Sequence, residues 1–183
     1  MKLSGVLDKY TNGTSTLYVN IFDSPIGKII AVGDEEFVYI VCFEDSKNLE
    51  KMFKSVAKEL SCTFELGKTK LLEEFENEIE SYFDGELKEF TVPIKTIGSD
   101  FQKEVWEMLR KQKYGTTQTY ADLAKALGRS GTHARAIGAA CGANAHLVVV
   151  PCHRVVASAS KGGFSCGLDR KEWLLQHEQK HLK

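Results

Sequence analysis

Residues 119–141, Thr-Tyr-Ala-Asp-Leu-Ala-Lys-Ala-Leu-Gly-Arg-Ser-Gly-Thr-His-Ala-Arg-Ala-Ile-Gly-Ala-Ala-Cys, carry the reading that decides the fold. The first part, Thr119–Leu127, has helical spacing and places Leu123, Ala124 and Leu127 on one side. Gly128-Arg129-Ser130-Gly131 breaks it, and a second helix begins near Thr132 and runs to Cys141. Helix, four-residue glycine-containing turn, helix is the helix-turn-helix pattern. The second helix is nearly all alanine and glycine, with Arg135 in its first turns. A helix that reads base edges projects several polar side chains, and this one does not. Small residues let a helix lie close to a narrow surface, and they equally permit tight packing inside a core. Both readings stand at this point.

Downstream, Leu147-Val148-Val149-Val150 is a short apolar run that reads as a buried strand. It delivers Pro151-Cys152-His153-Arg154-Val155-Val156. A free thiol is mostly protonated near neutral pH, so a nucleophilic cysteine needs a neighbouring base or positive charge. His153 supplies a candidate base, which makes Cys152 a candidate reactive residue. Upstream, residues 99–111 read as a helix with Phe101, Val105, Met108 and Leu109 inward, opened by a Ser99/Gln102 capping box.

The first half reads differently. Thr16–Phe22, Lys28–Val32 and Phe37–Phe43 alternate or run apolar between turn signals and form an expected three-stranded meander. A helix follows from about Ser46, then a short extended piece, Cys62–Glu65, that can extend the sheet. A second helix runs from about Thr69 to a stop at Asp84-Gly85. The expected organisation is a first domain over 1–96, with 86–96 as its linker, and a second over 97–183. Charge divides the same way. Residues 1–96 carry 11 Lys+Arg against 18 Asp+Glu, a balance of −7, whereas residues 97–183 carry 13 against 7, a balance of +6. The basic half holds Cys152, which favours a polyanionic partner there.

The 183 residues, 43% hydrophobic and 27% charged, suit a globular chain with a sizeable core. No apolar run approaches the roughly 18–20 residues that span a bilayer. Met1-Lys2-Leu3-Ser4-Gly5 lacks the apolar core of a signal peptide. An intracellular protein is expected, nuclear if eukaryotic and cytoplasmic if prokaryotic. The five cysteines, Cys42, Cys62, Cys141, Cys152 and Cys166, are odd in number and include no C-x-x-C pair, so reduced thiols are expected rather than a disulfide framework.

Over about residues 100–178 these motifs resemble the O6-alkylguanine-DNA alkyltransferase family. The resemblance rests on Tyr120, Ala134-Arg135-Ala136-Ile137-Gly138, Gly142-Ala143-Asn144, Pro151-Cys152-His153-Arg154-Val155-Val156, and Gly167-Leu168…Lys171-Glu172-Trp173-Leu174-Leu175…Glu178. The first half matches loosely, through Phe22-Asp23-Ser24-Pro25-Ile26-Gly27-Lys28 and the strand order. The resemblance implies an α+β chain: a ribonuclease-H-like α/β domain, then a mainly helical winged-helix, helix-turn-helix DNA-binding domain. It implies a single-turnover transfer of an alkyl group from O6 of a flipped guanine in duplex DNA to Cys152, and it admits O4-methylthymine as a further substrate. The base must leave the stack because sulfur cannot reach its alkyl carbon inside a duplex. By the same resemblance His153 takes the thiol proton through a water, Glu178 steadies the imidazolium, and Asn144 braces the active loop. Arg135 is the finger that fills the flipped nucleotide's place, and Tyr120 crowds the 3′ phosphate and can protonate the leaving guanine. Ala134, Ala136 and Gly138 make the close minor-groove approach, with Ser158 a further DNA contact. Val155, Phe164, Ser165, Cys166 and Cys141 form the base pocket. Duplex DNA read with little sequence preference is the implied partner, for a monomer needing neither cofactor nor metal.

The chain departs from the family in places. Phe164 stands where tyrosine is frequent, Cys166 where glycine or tryptophan is, and the loops 128–132 and 158–163 differ in length. Three alternatives stay open on the residues alone. A lesion sensor of the alkyltransferase-like kind shares the helix but lacks the cysteine. A cysteine hydrolase would need a turn at Cys152-His153, since strand neighbours point oppositely. A zinc site from Cys141, Cys152, His153 and Cys166 fits no common ligand spacing.

Overall fold

The computed structural model describes residues 2–130, 133–158 and 162–182. The chain divides into two compact units, Met1–Ile97 and Gly98–Lys183.

The first unit is a four-stranded sheet with helices on both faces. Strands β1 (Ser15–Phe22), β2 (Ile29–Gly33) and β3 (Val38–Phe43) form an antiparallel meander, and β4 (Cys62–Leu66) pairs parallel with β1, giving the order β3-β2-β1-β4. Every residue of β2 and β3 is buried, which fits strands covered on both faces. Leu17, Val19, Ile30, Val32, Ile40 and Cys42 pack under helices α1 (Leu3–Lys9) and α2 (Leu49–Leu60) through Val6, Leu49, Phe53 and Val56. Helix α3 (Lys70–Phe83), capped by Thr69, packs on β2 with Leu72, Phe75, Ile79 and Tyr82 buried.

Two features of this unit were not expected. Helix α1 carries Ser4 and Gly5, both weak helix formers, and is held by the fully buried Val6 rather than by propensity. Helix α2 starts at Leu49 rather than near Ser46, because the Ser46 hydroxyl accepts from the Asn48 N–H and holds a turn. Residues 86–96, read as a linker, are tied down. The Glu78 carboxylate accepts from the Thr91 and Val92 N–H groups. Val38 N–H donates to Pro93 O at 3.0 Å and Lys95 N–H to Val38 O at 3.1 Å, so this segment bridges to the first residue of β3 on its outer edge.

The second unit is mainly helical. Helix α4 (Asp100–Arg110) begins with the Ser99/Gln102 capping box and buries Val105, Trp106 and Leu109. Helix α5 (Tyr120–Ala126) opens with another, Thr119/Asp122, and packs against α6 (Ala134–Gly142). Both α5 and α6 contact α4, and Trp106 Nε1 donates to Ala140 O at 2.9 Å. The core-packing reading of the small-residue helix holds for Ile137 and Ala140, which are buried, while Arg135, Ala136 and Ala139 are exposed. Two-residue strands β5 (Gln118–Thr119) and β6 (Val155–Val156) pair in parallel, and α7 (Leu168–Lys180) packs against the turn before β6. The loops 128–132 and 158–163 lie partly outside the described residues.

The run 147–150 is not a strand, contrary to the sequence reading. It is buried but folded into a tight turn, with Val149 N–H on Leu147 O at 2.7 Å and Val150 N–H on His146 O at 2.9 Å. Val148 sits at φ +67°, a left-handed conformation that costs a β-branched residue about 1–2 kcal/mol. The turn is held by Asn144, whose Oδ1 accepts from His146 N–H at 2.8 Å and whose Nδ2 donates to Val150 O at 2.8 Å. A side-chain amide thus does the work that a neighbouring strand would have done.

Candidate active site

The turn at 147–150 passes directly into a single 3₁₀ turn, Cys152–Arg154, with all three side chains buried. This replaces the strand geometry that would have sent Cys152 and His153 to opposite faces. Asn144 Nδ2, already on Val150 O, also lies 3.2 Å from Cys152 Sγ. One amide therefore sets the backbone before the cysteine and offers an N–H to its sulfur. Burial pushes the Cys152 thiol well above the ordinary thiol range, and a hydrogen bond shared with the Cys141 thiol acts the same way. Asn144 and the positive charge of Lys171 pull in the opposite direction, and burial prevails. At rest Cys152 is a neutral thiol, so a reaction at its sulfur needs a base.

His153 is that base's candidate. Its Nε2 lies 2.6 Å from Glu178 Oε2, and both side chains are about 1% exposed. Its Nδ1 is buried with no hydrogen-bond partner among the described residues. Burial lowers the affinity of His153 for a proton; Glu178 opposes this, and the charges of Arg154 and Lys171 reinforce it. Burial also works against the charge of Glu178, but His153 and Arg154 outweigh it and hold its carboxyl well below the usual carboxylate range. An ionised Glu178 accepts from Nε2–H, which leaves Nδ1 as the nitrogen with a free lone pair.

A cavity of about 240 Å³ includes Cys152 in its lining, with Tyr120, Gly138, Cys141, Gly142, Gly163, Phe164 and Ser165. It thus gathers Tyr120 from α5, Gly138 and Cys141 from α6, and Phe164 and Ser165 from the segment before α7. Burial raises the Tyr120 hydroxyl above the ordinary phenol value. Val155 is fully buried, is not among the lining residues, and its carbonyl accepts from Lys171 Nζ at 2.6 Å. Cys166 is partly buried outside the lining, its Sγ 3.9 Å from the Ser165 hydroxyl. Arg135, Ala136 and Ser158 are exposed, and Ala134 is partly so.

Two residues near the cysteine were given no role from sequence. Arg154 binds both oxygens of Glu178, and the fully buried Lys171 ties Val155 O to Gly163 O at 2.6 and 2.9 Å. A signal existed: Lys171, Leu174 and Glu178 fall at i, i+3 and i+7 on one face of α7, so both charges share a face with a buried leucine. Gly115 N–H also donates to Glu178 Oε1 at 3.1 Å, and its φ of +76° suits glycine. Among the described residues no group of three or more His, Cys, Asp or Glu side chains could hold a metal ion, and no helix is long and apolar enough to cross a membrane.

Residues 17–96 match the ribonuclease-like domain of 6-O-methylguanine DNA methyltransferase, and residues 100–180 match its DNA binding domain. A methylated-DNA–protein-cysteine methyltransferase of Methanosarcina acetivorans is 38% identical over 164 residues, covering 88% of this chain and 98% of the relative. The inducible enzyme of that name from Bacillus subtilis is 36% identical over 136 residues, 74% of this chain and 75% of its own. Among solved structures, Mycobacterium tuberculosis OGT in complex with DNA superposes with a TM-score of 0.77 at 30% identity, over 90% of this chain and 94% of that one. The O6-methylguanine-DNA methyltransferase of Pyrococcus kodakaraensis gives 0.65 at 28% identity, over 88% and 98%. Two domain matches in the same order, with relatives matched over most of their length, place this chain in the methylated-DNA–protein-cysteine methyltransferase family.

Proposed function

We propose that this protein repairs DNA by direct reversal, taking the methyl or larger alkyl group from O6 of a guanine in duplex DNA onto Cys152, once per molecule. The observation that carries the reading is Cys152 in the lining of the cavity, its sulfur held by Asn144 and its chain neighbour His153 paired to Glu178. His153 Nδ1 receives the thiol proton through a bridging water, and Glu178 bears the imidazolium that results. The thiolate attacks the O6-alkyl carbon, a C–S bond forms as the C–O bond breaks, and guanine leaves with the electron pair. Tyr120 gives the departing base a proton. The thioether is not cleaved by thiols, so the protein is consumed.

The exposed side of α6 faces the DNA. Arg135 enters the stack where the damaged nucleotide leaves, and Ala134, Ala136 and Gly138 let the helix lie close in the minor groove, with Ser158 beside it. With no row of polar side chains on α6, binding is largely indifferent to sequence and weakens with salt. The protein acts as a monomer, in whichever compartment holds its DNA.

The test is incubation of the reduced protein with a duplex containing one O6-methylguanine, followed by intact mass and peptide mapping. One added methyl on Cys152 is expected. Binding of the lesion duplex without any mass gain would leave a lesion sensor in place of a repair protein.

A further inference from the structure

The turn that carries Cys152 and His153 ends in a side chain to which the reaction above gives no work. Arg154 is 5% exposed. Its Nε donates to Glu178 Oε1 at 2.8 Å and its Nη2 to Oε2 at 3.0 Å, a two-pronged grip on both oxygens. Its Nη1 donates to Gln112 O at 2.8 Å, and its guanidinium lies 5.6 Å from the Tyr114 ring centroid. The same Oε2 meets His153 Nε2. One buried carboxylate is therefore shared by a permanent cation and by the base of the reaction.

The charged groups acting on the imidazole are Glu178 and Lys171 from α7 and Arg154 from its own turn; Tyr114, whose ring lies against the Arg154 guanidinium, is kept protonated by burial. With a neutral imidazole, Arg154 balances Glu178. With an imidazolium, the cluster carries an excess positive charge near a second cation, Lys171, in a site closed to solvent, and this is costly. We propose that Arg154 is a positioning residue for the transfer: by occupying both oxygens of Glu178 it holds His153 as the neutral Nε2–H tautomer, with Nδ1 as the base. The proposal rests on the reading of Cys152 and His153 given above. Without Arg154 the negative charge of Glu178 loses its buried cation and acts more strongly on His153, with the Gly115 N–H still on Oε1; Nδ1 then takes a proton at rest, and the base is lost until the pH rises.

The experiment measures single-turnover methyl transfer from an O6-methylguanine duplex across about pH 5–9 for wild type, Arg154→Met and Arg154→Lys, with lesion-duplex affinity and thermal melting in parallel. For Arg154→Met the acid limb of the rate profile moves toward alkaline pH by about one unit or more, with the rate near pH 6 falling about tenfold. Its alkaline plateau and DNA affinity stay within about threefold of wild type. Arg154→Lys, which keeps the charge and loses the fork, moves the limb less, in the same direction. An acid limb that superimposes on wild type, whether or not the plateau rate falls, makes Arg154 a structural brace and overturns the proposal. Where Arg154→Met does not fold, Arg154→Lys decides by the same displacement. A wild type that gains no methyl on Cys152 overturns instead the function on which the proposal rests.

Discussion

The two units bury different kinds of matter. Among the described residues of the first, the one buried polar side chain is Asn20, which donates to Glu76 at 2.7 Å; the rest of its buried side chains are aliphatic, aromatic or thiol. The second buries Arg154, Lys171 and Glu178 together with His146, His153 and His177. An apolar interior is satisfied by filled volume and tolerates repacking. A buried ionic cluster holds only while each member keeps its partners, and removing one leaves an uncompensated charge. The second unit accepts that cost in the cluster of His153, Arg154 and Glu178.

This contrast can be broken most severely at Cys152. Cys152→Ser should abolish methyl gain on the protein while leaving the lesion duplex bound, as read by intact mass and fluorescence anisotropy. Next comes Glu178→Gln, which strands Arg154 and takes the negative charge from the acceptor of His153. Chemical denaturation should show a loss of about 3–5 kcal/mol, and transfer by the remaining folded protein should slow as well. Phe53→Ala, at a fully buried ring packed edge-on to Phe64 with centroids 4.7 Å apart, should cost about as much stability, 3–5 kcal/mol, yet leave transfer per folded molecule unchanged. If Phe53→Ala slows the chemistry itself, the separation drawn between the units fails.

Acid should sharpen the contrast more gently. His153 binds a proton less readily in the folded state than its ordinary value of about 6.5, and Glu178 is held below the usual carboxylate range. In both cases the unfolded chain takes up the proton first as pH falls, so both contributions to stability are present at neutral pH and are lost on acidification. The decline begins near pH 6.5 through His153 and steepens below about 4.5 through Glu178. Amide exchange, corrected for its intrinsic rate, should show protection in α7 falling over this range while β2 holds. The smallest effect is expected at Thr119, whose hydroxyl accepts from Asp122 N–H at 3.0 Å: Thr119→Ala should cost about 1 kcal/mol in melting experiments.

What could be read in advance follows from the range of the forces involved. The meander, α3 and the capped start of α4 are local in origin, from alternation, helical spacing and a serine three residues before a glutamine, and they stand in the fold nearly where the residues placed them. The run 147–150 misled because four apolar residues look alike in a strand or a buried turn. What chose the turn was one amide, Asn144, six residues before the carbonyl it holds. Arg154 was visible as a letter just past the cysteine, and Lys171 as one on the last helix. Their work depends on Glu178, Gln112 and Gly163, whose proximity exists only after α7 has docked.

The segment that bridges to β3 has a practical consequence for anyone who would isolate the first unit. A fragment ended at the stop after α3, near Gly85, would keep all four strands and every helix of that unit. It would also strip Pro93 and Lys95 from Val38, freeing the N–H and C=O at the start of a six-residue apolar edge strand, Val-Tyr-Ile-Val-Cys-Phe. Such an edge, apolar and without a charge or proline of its own, is a template for pairing with another copy. A fragment cut after Ile97 keeps the bridge to Val38.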